Sequence, residues 1–263
     1  MNESGESKIG KANALSRENY VEREREIGNF PTFEIEKSGQ VLYYFGAHHS
    51  KDPNSPQYEK LKLYWQEWLQ KTDPSKRLVL IEGGTRVLQE DEETSIRISE
   101  EGGLMTFLAH GQNIRIESPE PDDALWKSHM LEKHSPLEIA LYEFITMADS
   151  WRRMMPEDRP DFKTHALNTP RRKYYDEFTP DELIAAFENV TGEQFDPTNV
   201  NRFCDPNRSD TVINRVARTS SDLRDQTIAE QIISYWKDGK SLFMTFGRGH
   251  LVIQEPMLRA AIR

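Results

Sequence analysis

Cysteine is nearly absent: Cys204 is the one thiol in 263 residues. A lone cysteine can form no intrachain disulfide and no Cys/His zinc site, and such usage fits a reducing compartment. Without a neighbouring histidine signal, Cys204 reads as a half-buried thiol rather than a nucleophile. Long apolar runs are also missing. No stretch approaches the roughly 20 residues that span a bilayer, and the mean hydropathy is -0.76. The polar start, Met1 to Ala14, has no apolar segment of the secretory kind. A cytoplasmic protein with no membrane partner is therefore expected. Basic clusters are scarce as well. The net charge is -10, and the tightest basic group is Arg171-Arg172-Lys173, which reads as a solvated loop. A nucleic-acid partner, which needs a basic face, is not expected. There is no G-x-S-x-G elbow, phosphate-binding P-loop, H-E-x-x-H or dinucleotide G-x-G-x-x-G. No internal repeat of 20 to 50 residues is present.

What the chain does contain is an alternation of strand and helix patterns. Phe33–Glu36 and Val41–Phe45 flank the turn pair Ser38-Gly39 and read as a hairpin. Ser55-Pro56 opens a helix carrying Tyr58, Leu61, Trp65 and Trp68 inward. Arg77–Ile81 is a continuous apolar strand of the kind covered on both faces. Helices are expected from Leu104, from Pro136 to about Met147, from Pro180 to Val190, from Asp222 to Trp236 and from Leu251 to Ile262. Short strands are expected at Ile114–Glu117 and Ser241–Phe246. This is the pattern of an α/β fold, with a mostly parallel or mixed central sheet flanked by helices. Residues 1–30 read as a flexible tail, and 31–263 as a single α/β domain. The stretch at about 150–210, rich in Pro, Asp, Arg and Asn, reads as an irregular or helical insertion capping the site.

Two of the expected strands end alike. Tyr43-Tyr44-Phe45 runs into Gly46-Ala47-His48-His49, and Phe243-Met244-Thr245-Phe246 runs into Gly247-Arg248-Gly249-His250. The C-terminal edge of a parallel sheet is where α/β proteins build their sites. A glycine there is expected to let the chain turn sharply, with φ free. Strand Arg77–Ile81 then delivers Glu82 to the same edge, and Ile114–Glu117 delivers Glu120. His49, three residues after Gly46, is favoured over its neighbour His48. His48, Glu120 and Arg248 are expected to touch substrate. Two imidazoles and a carboxylate (His49, Glu82 and His250) suit a divalent metal with open positions for water. The same set serves metal-free acid/base work. Arg224, read as opening the helix before the last strand, is disfavoured there by the helix dipole. It is expected to be held by a carboxylate such as Glu82, or by an oxyanion.

These paired Gly-x-x-His turns, with Glu82 closing RLVLIEGG, the helix sequence RDQTIAEQI (Arg224 to Ile232) and GRGHL (Gly247 to Leu251), resemble those of the TraB/TIKI superfamily. That group is related to erythromycin-esterase-like and ChaN-like proteins. The resemblance implies that His49, Glu82, Arg224 and His250 form a catalytic site. It also implies hydrolysis of a peptide, ester or lactone bond by an activated water, on a small-molecule or peptide substrate. A divalent metal (Mn, Co, Fe or Zn) on His49, Glu82 and His250 would fit. The alternative it leaves is a protein binding haem or a small anion on the same scaffold without turnover.

Overall fold

The computed structural model describes residues 17–154, 159–168 and 177–262. The Arg171-Arg172-Lys173 cluster and the first 16 residues lie outside them. The chain divides into two compact units, one made of 1–120 and 225–263, the other of 121–224. The second unit takes in the expected 150–210 insertion but begins some thirty residues earlier, because Asp123–Leu131 and Pro136–Arg152 pack with it.

The first unit begins with α1 (Arg17–Glu26), where a tail through residue 30 was expected. Tyr20 of α1 is buried against Val252 and Ile253, and Arg23 pairs with Glu255 at 2.6 Å. The hairpin follows as β1 (Thr32–Lys37) and β2 (Gln40–Ala47), antiparallel. Its turn places Ser38 and Gly39 both at positive φ, the conformation that suits the right-handed twist of a tight hairpin. Next come α2 (Pro56–Lys71), β3 (Arg77–Ile81), α3 (Glu92–Gly111) and β4 (Ile116–Glu117). The sheet order is β1-β2-β5-β3-β4, where β5 is Ser241–Gly247. All neighbours except the β1–β2 pair are parallel. This is a mixed α/β sheet with its one antiparallel strand at the edge.

Period-two alternation explains the layering. Tyr43, Phe45, Val79, Ile81 and Phe243 face Leu61, Trp65 and Trp68 of α2 and Leu104 and Met105 of α3. Leu42, Tyr44, Leu78, Leu80, Leu242 and Met244 face the other way. They meet Ile228 and Ile232 of α8 (Val212–Lys237) and Leu251 and Leu258 of α9 (Arg248–Ala261). With both faces covered, the strands read as unbroken apolar runs. Each fully buried large side chain there contributes about 1.5–3 kcal/mol. Pro256 sits inside α9.

The second unit is helical: α4 (Asp123–Leu131), α5 (Pro136–Arg152), α6 (Phe162–Asn168), α7 (Pro180–Thr191) and the first half of α8. Ser135 and Thr179 each close a capping box with the glutamate three residues on, Glu138 and Glu182. Phe144, Phe162, Phe187, Phe195 and Phe203 build its aromatic core. Cys204 is half-buried beside Thr146, and burial first, then the charge of Asp149, push its thiol up to about 12. A thiol so shifted is not an activated nucleophile. Among the described residues no helix is long and apolar enough to cross a membrane.

Candidate functional site

The two Gly-x-x-His turns leave the sheet side by side, because β2 and β5 are parallel neighbours with Ala47 opposite Gly247. The glycines are needed for room, not for φ. Gly247 has φ -52 and ψ 144, open to any residue. A Cβ on it would stand 2.7 Å from His49 Nε2, and one on Gly46 would stand 2.9 Å from Pro31 Cγ and 3.3 Å from Arg248 Cα. The left-handed backbone falls instead on His49 itself, at φ 47. Such a conformation costs a non-glycine residue about 1–2 kcal/mol, and strain of this kind gathers at functional sites.

β3 delivers Glu82 between the two imidazoles. Its Oε1 lies 3.3 Å from His250 Nε2, and its Oε2 lies 3.7 Å from His49 Nε2. The Gly247 N–H donates to Oε2 at 2.6 Å. The N–H groups of Gly83 and Gly84, which follow Glu82, are held by other side chains. Gly83 donates to Glu120 Oε1 at 2.6 Å, and Gly84 to Ser118 Oγ at 2.9 Å. Glu120 thus holds the loop after β3, where Gly83 and Gly84 both have positive φ.

Each ring is gripped from behind by a buried carboxylate. His49 Nδ1 is 2.6 Å from Glu101 Oε1, and His250 Nδ1 is 2.6 Å from Asp225 Oδ1. Asp225 also accepts from Gln254 Nε2 at 2.9 Å, whose Oε1 accepts from the Tyr44 hydroxyl at 3.0 Å. Hydrogen bonds and ion-pair contacts therefore link Tyr44, Gln254, Asp225, His250, Glu82, His49 and Glu101, the Glu82–His49 contact at 3.7 Å being the widest. The Glu101 end depends on a break in α3 at Ser99 and Glu100, where Glu100 has φ 55 and ψ -141. The break folds α3 so tightly that a Cβ on Gly103 would stand 2.1 Å from Ser95 O.

These carboxylates decide the charge of the rings. The Glu101 hydrogen bond outweighs burial at His49, with the charges of Glu101, Glu82 and Glu100 adding to it, and pushes it up to about 9. Burial pulls His250 down, but the charge and hydrogen bond of Asp225, then Glu82, outweigh it and carry the ring up to about 10. Both rings are cations at neutral pH. His49 is half-exposed, whereas His250 and Glu82 are mostly enclosed, at 13% and 17%.

Other expected residues make contacts of their own. The His48 ring packs edge-on against Phe30, and its N–H donates to Gln57 Oε1 at 3.0 Å. Arg248 Nη2 donates to Ile27 O at 3.2 Å. Arg224 is not at a helix start: α8 begins at Val212, so the dipole argument for it falls away. It belongs to the second unit, one residue before Asp225 of the first. Strand-end reasoning misses Glu101 and Asp225, which lie in Glu100-Glu101-Gly102-Gly103 and Arg224-Asp225, away from any strand end.

The donor set suits a divalent cation in kind, since imidazole and carboxylate are its usual ligands. His49, Glu82 and His250 do not, however, close as a ligand shell. Among the described residues the group whose ligand atoms lie within 4.8 Å of one another is His49, Glu100 and Glu101.

Fold and site together define an α/β protein with a carboxylate–imidazole chain at the C-terminal edge of its parallel strands. Comparison with family models, curated proteins and solved structures finds no significant match.

Proposed function

We propose that the chain is a hydrolase of the TraB/TIKI-like Gly-x-x-His type, cleaving a peptide, ester or lactone bond with an activated water. The observation that carries this reading is the pair of imidazoles turned, Nε2 first, onto the two oxygens of Glu82. As a carboxylate, Glu82 is the member of this set that can take a proton from water. The water oxygen then adds to the carbonyl carbon. His49, the ring open to solvent, faces the developing oxyanion and gives its Nε2 proton to the leaving oxygen or nitrogen as the bond breaks. His250, enclosed behind Glu82, holds that carboxylate in place. A bound metal would supply Lewis-acid polarisation. Because the three side chains do not close around one ion, no step is assigned to it.

A panel of esters, lactones and peptides tests the reading. Removing an acid/base group costs about 100-fold or more, so Glu82→Gln and His49→Ala should each lose at least that much. Full activity in both variants would refute the assignment. Elemental analysis of wild type against the His49→Ala, His250→Ala double variant decides the metal question: a stoichiometric metal lost in the variant establishes a metal site. A Soret band lost in the same variant would favour haem binding without turnover instead.

A further inference from the structure

Both imidazoles have the same buried support, reached by unrelated routes. Glu101 comes from the broken α3 and Asp225 from the middle of α8, yet each places one carboxylate oxygen 2.6 Å from an Nδ1. The two side chains are 5% and 3% exposed. The second oxygen of each, Glu101 Oε2 and Asp225 Oδ2, is buried with no hydrogen-bond partner among the described residues. A carboxylate buried with one oxygen bare is costly, so what it does hold must justify its place. In both cases that is an imidazole nitrogen, with Gln254 as an added donor at Asp225.

We propose that Glu101 and Asp225 are positioning residues that lock both rings with a proton on Nδ1, leaving Nε2 as the working nitrogen of His49 and of His250. A carboxylate can only accept, so the ring nitrogen facing it must carry hydrogen. The proton exchanged with substrate, water or Glu82 is then the one on Nε2. Both Gly-x-x-His turns then present the same nitrogen, although one ring is half-exposed and the other enclosed. The groups facing His49 are Glu82 after β3 and Glu100 and Glu101 on α3. Those facing His250 are Asp225 on α8 and Glu82. Glu100, Glu101 and Asp225 face Nδ1 and favour a proton there, whereas Glu82 faces Nε2 of both rings; the 2.6 Å contacts at Nδ1 are shorter than the 3.3 and 3.7 Å contacts at Nε2, so they decide where the last proton stays. The catalytic meaning of the lock rests on the hydrolase reading; the tautomer itself does not.

Long-range proton–nitrogen correlation spectra of protein labelled with 15N-histidine test this without a substrate. His49→Gln and His250→Gln assign the two rings. In wild type, each ring above its midpoint of proton loss should keep its remaining proton on Nδ1. In Glu101→Gln the His49 midpoint should fall by about one pH unit or more, the size of effect a lost carboxylate partner has, while His250 stays. Asp225→Asn should do the reverse. A neutral wild-type ring protonated on Nε2 overturns the proposal, as does a variant that shifts both rings together or neither. Should either variant fail to fold, the wild-type spectrum alone decides. A hydrolytic activity found with the opposite tautomer would refute the lock and spare the hydrolase. Nδ1-protonated rings in a protein without hydrolytic activity would do the opposite.

Discussion

Replacing Gly247 with alanine adds one methyl group at the tightest point of the site. The new Cβ would stand 2.7 Å from His49 Nε2, 3.2 Å from Glu82 Oε2 and 3.4 Å from His49 Cε1. Unstrained contact between such atoms begins near about 3.5 Å, so the ring must retreat by roughly 0.8 Å. The backbone adds no cost, since φ -52 and ψ 144 are open to alanine. His49 is half-exposed and can give way, which puts the loss at the lower end of the range for overpacking, about 1–2 kcal/mol. The retreat is away from Glu82, whose Oε2 is already 3.7 Å from Nε2. The charge that helps hold His49 up at about 9 therefore weakens, and its midpoint of proton loss falls. Urea unfolding measures the first effect, provided the slope is unchanged. A 15N-histidine titration measures the second. Gly111→Ala is the control: a Cβ there meets nothing within 4 Å at the end of α3, so it should stabilise by about 0.5–1 kcal/mol. If Gly247→Ala is as stable as Gly111→Ala and leaves His49 unmoved, the close approach of the second turn to His49 and Glu82 is wrong.

Stability should also depend on His250. Its folded value, about 10, is raised above the ordinary 6.5, so its contribution is complete below pH about 6.5 and is lost as pH rises through about 10. Urea unfolding between pH 7 and 10 should show that decline, and His250→Ala should flatten it; an unchanged slope would contradict the His250–Asp225 pairing. Tyr20→Ala, which empties the contact of α1 with Val252 and Ile253, should cost on the order of 3 kcal/mol and open residues 17–26 to protease; equal resistance in the variant would mean that α1 does not dock. Ser135→Ala removes the capping box of α5 and should lower stability by about 1 kcal/mol, read as a lower Tm, whereas an unchanged Tm would show the cap to be inert.

Much of the first unit was legible because its signals are local. The apolar runs at Val41–Phe45, Arg77–Ile81 and Ser241–Phe246 became β2, β3 and β5 with an end shift of a residue or two. Their unbroken hydrophobicity announced a sheet covered on both faces. Ser38-Gly39 announced the hairpin, and Ser135-Pro136 the start of α5. The helices with weaker marks were missed or cut short. α4 and α6 are brief, and α8 begins ten residues before the expected Asp222. The reason for turning Gly46 and Gly247 into glycine was also misjudged. Sequence spacing suggests a special φ, whereas the atoms that exclude a side chain come from Pro31, His49 and Glu82, far away along the chain.

The sequence by itself determined that His49, Glu82 and His250 would reach one edge of a sheet, because strand ends and the residues just after them are encoded within a few positions. Only the tertiary structure decided what these residues do to one another. Glu101 stands 52 residues from His49, and Asp225 stands 25 from His250. Their roles arise from a helix break and from the register of α8 against the sheet, neither of which leaves a periodic mark. The folded chain also decided what other expected residues touch, with Glu120 on the β3 loop, Arg248 on the segment after α1 and His48 against Phe30. A hydrogen bond depends on tenths of an ångström between groups that pack together from distant parts of the chain. That distance is set by the whole core, and no local pattern carries it.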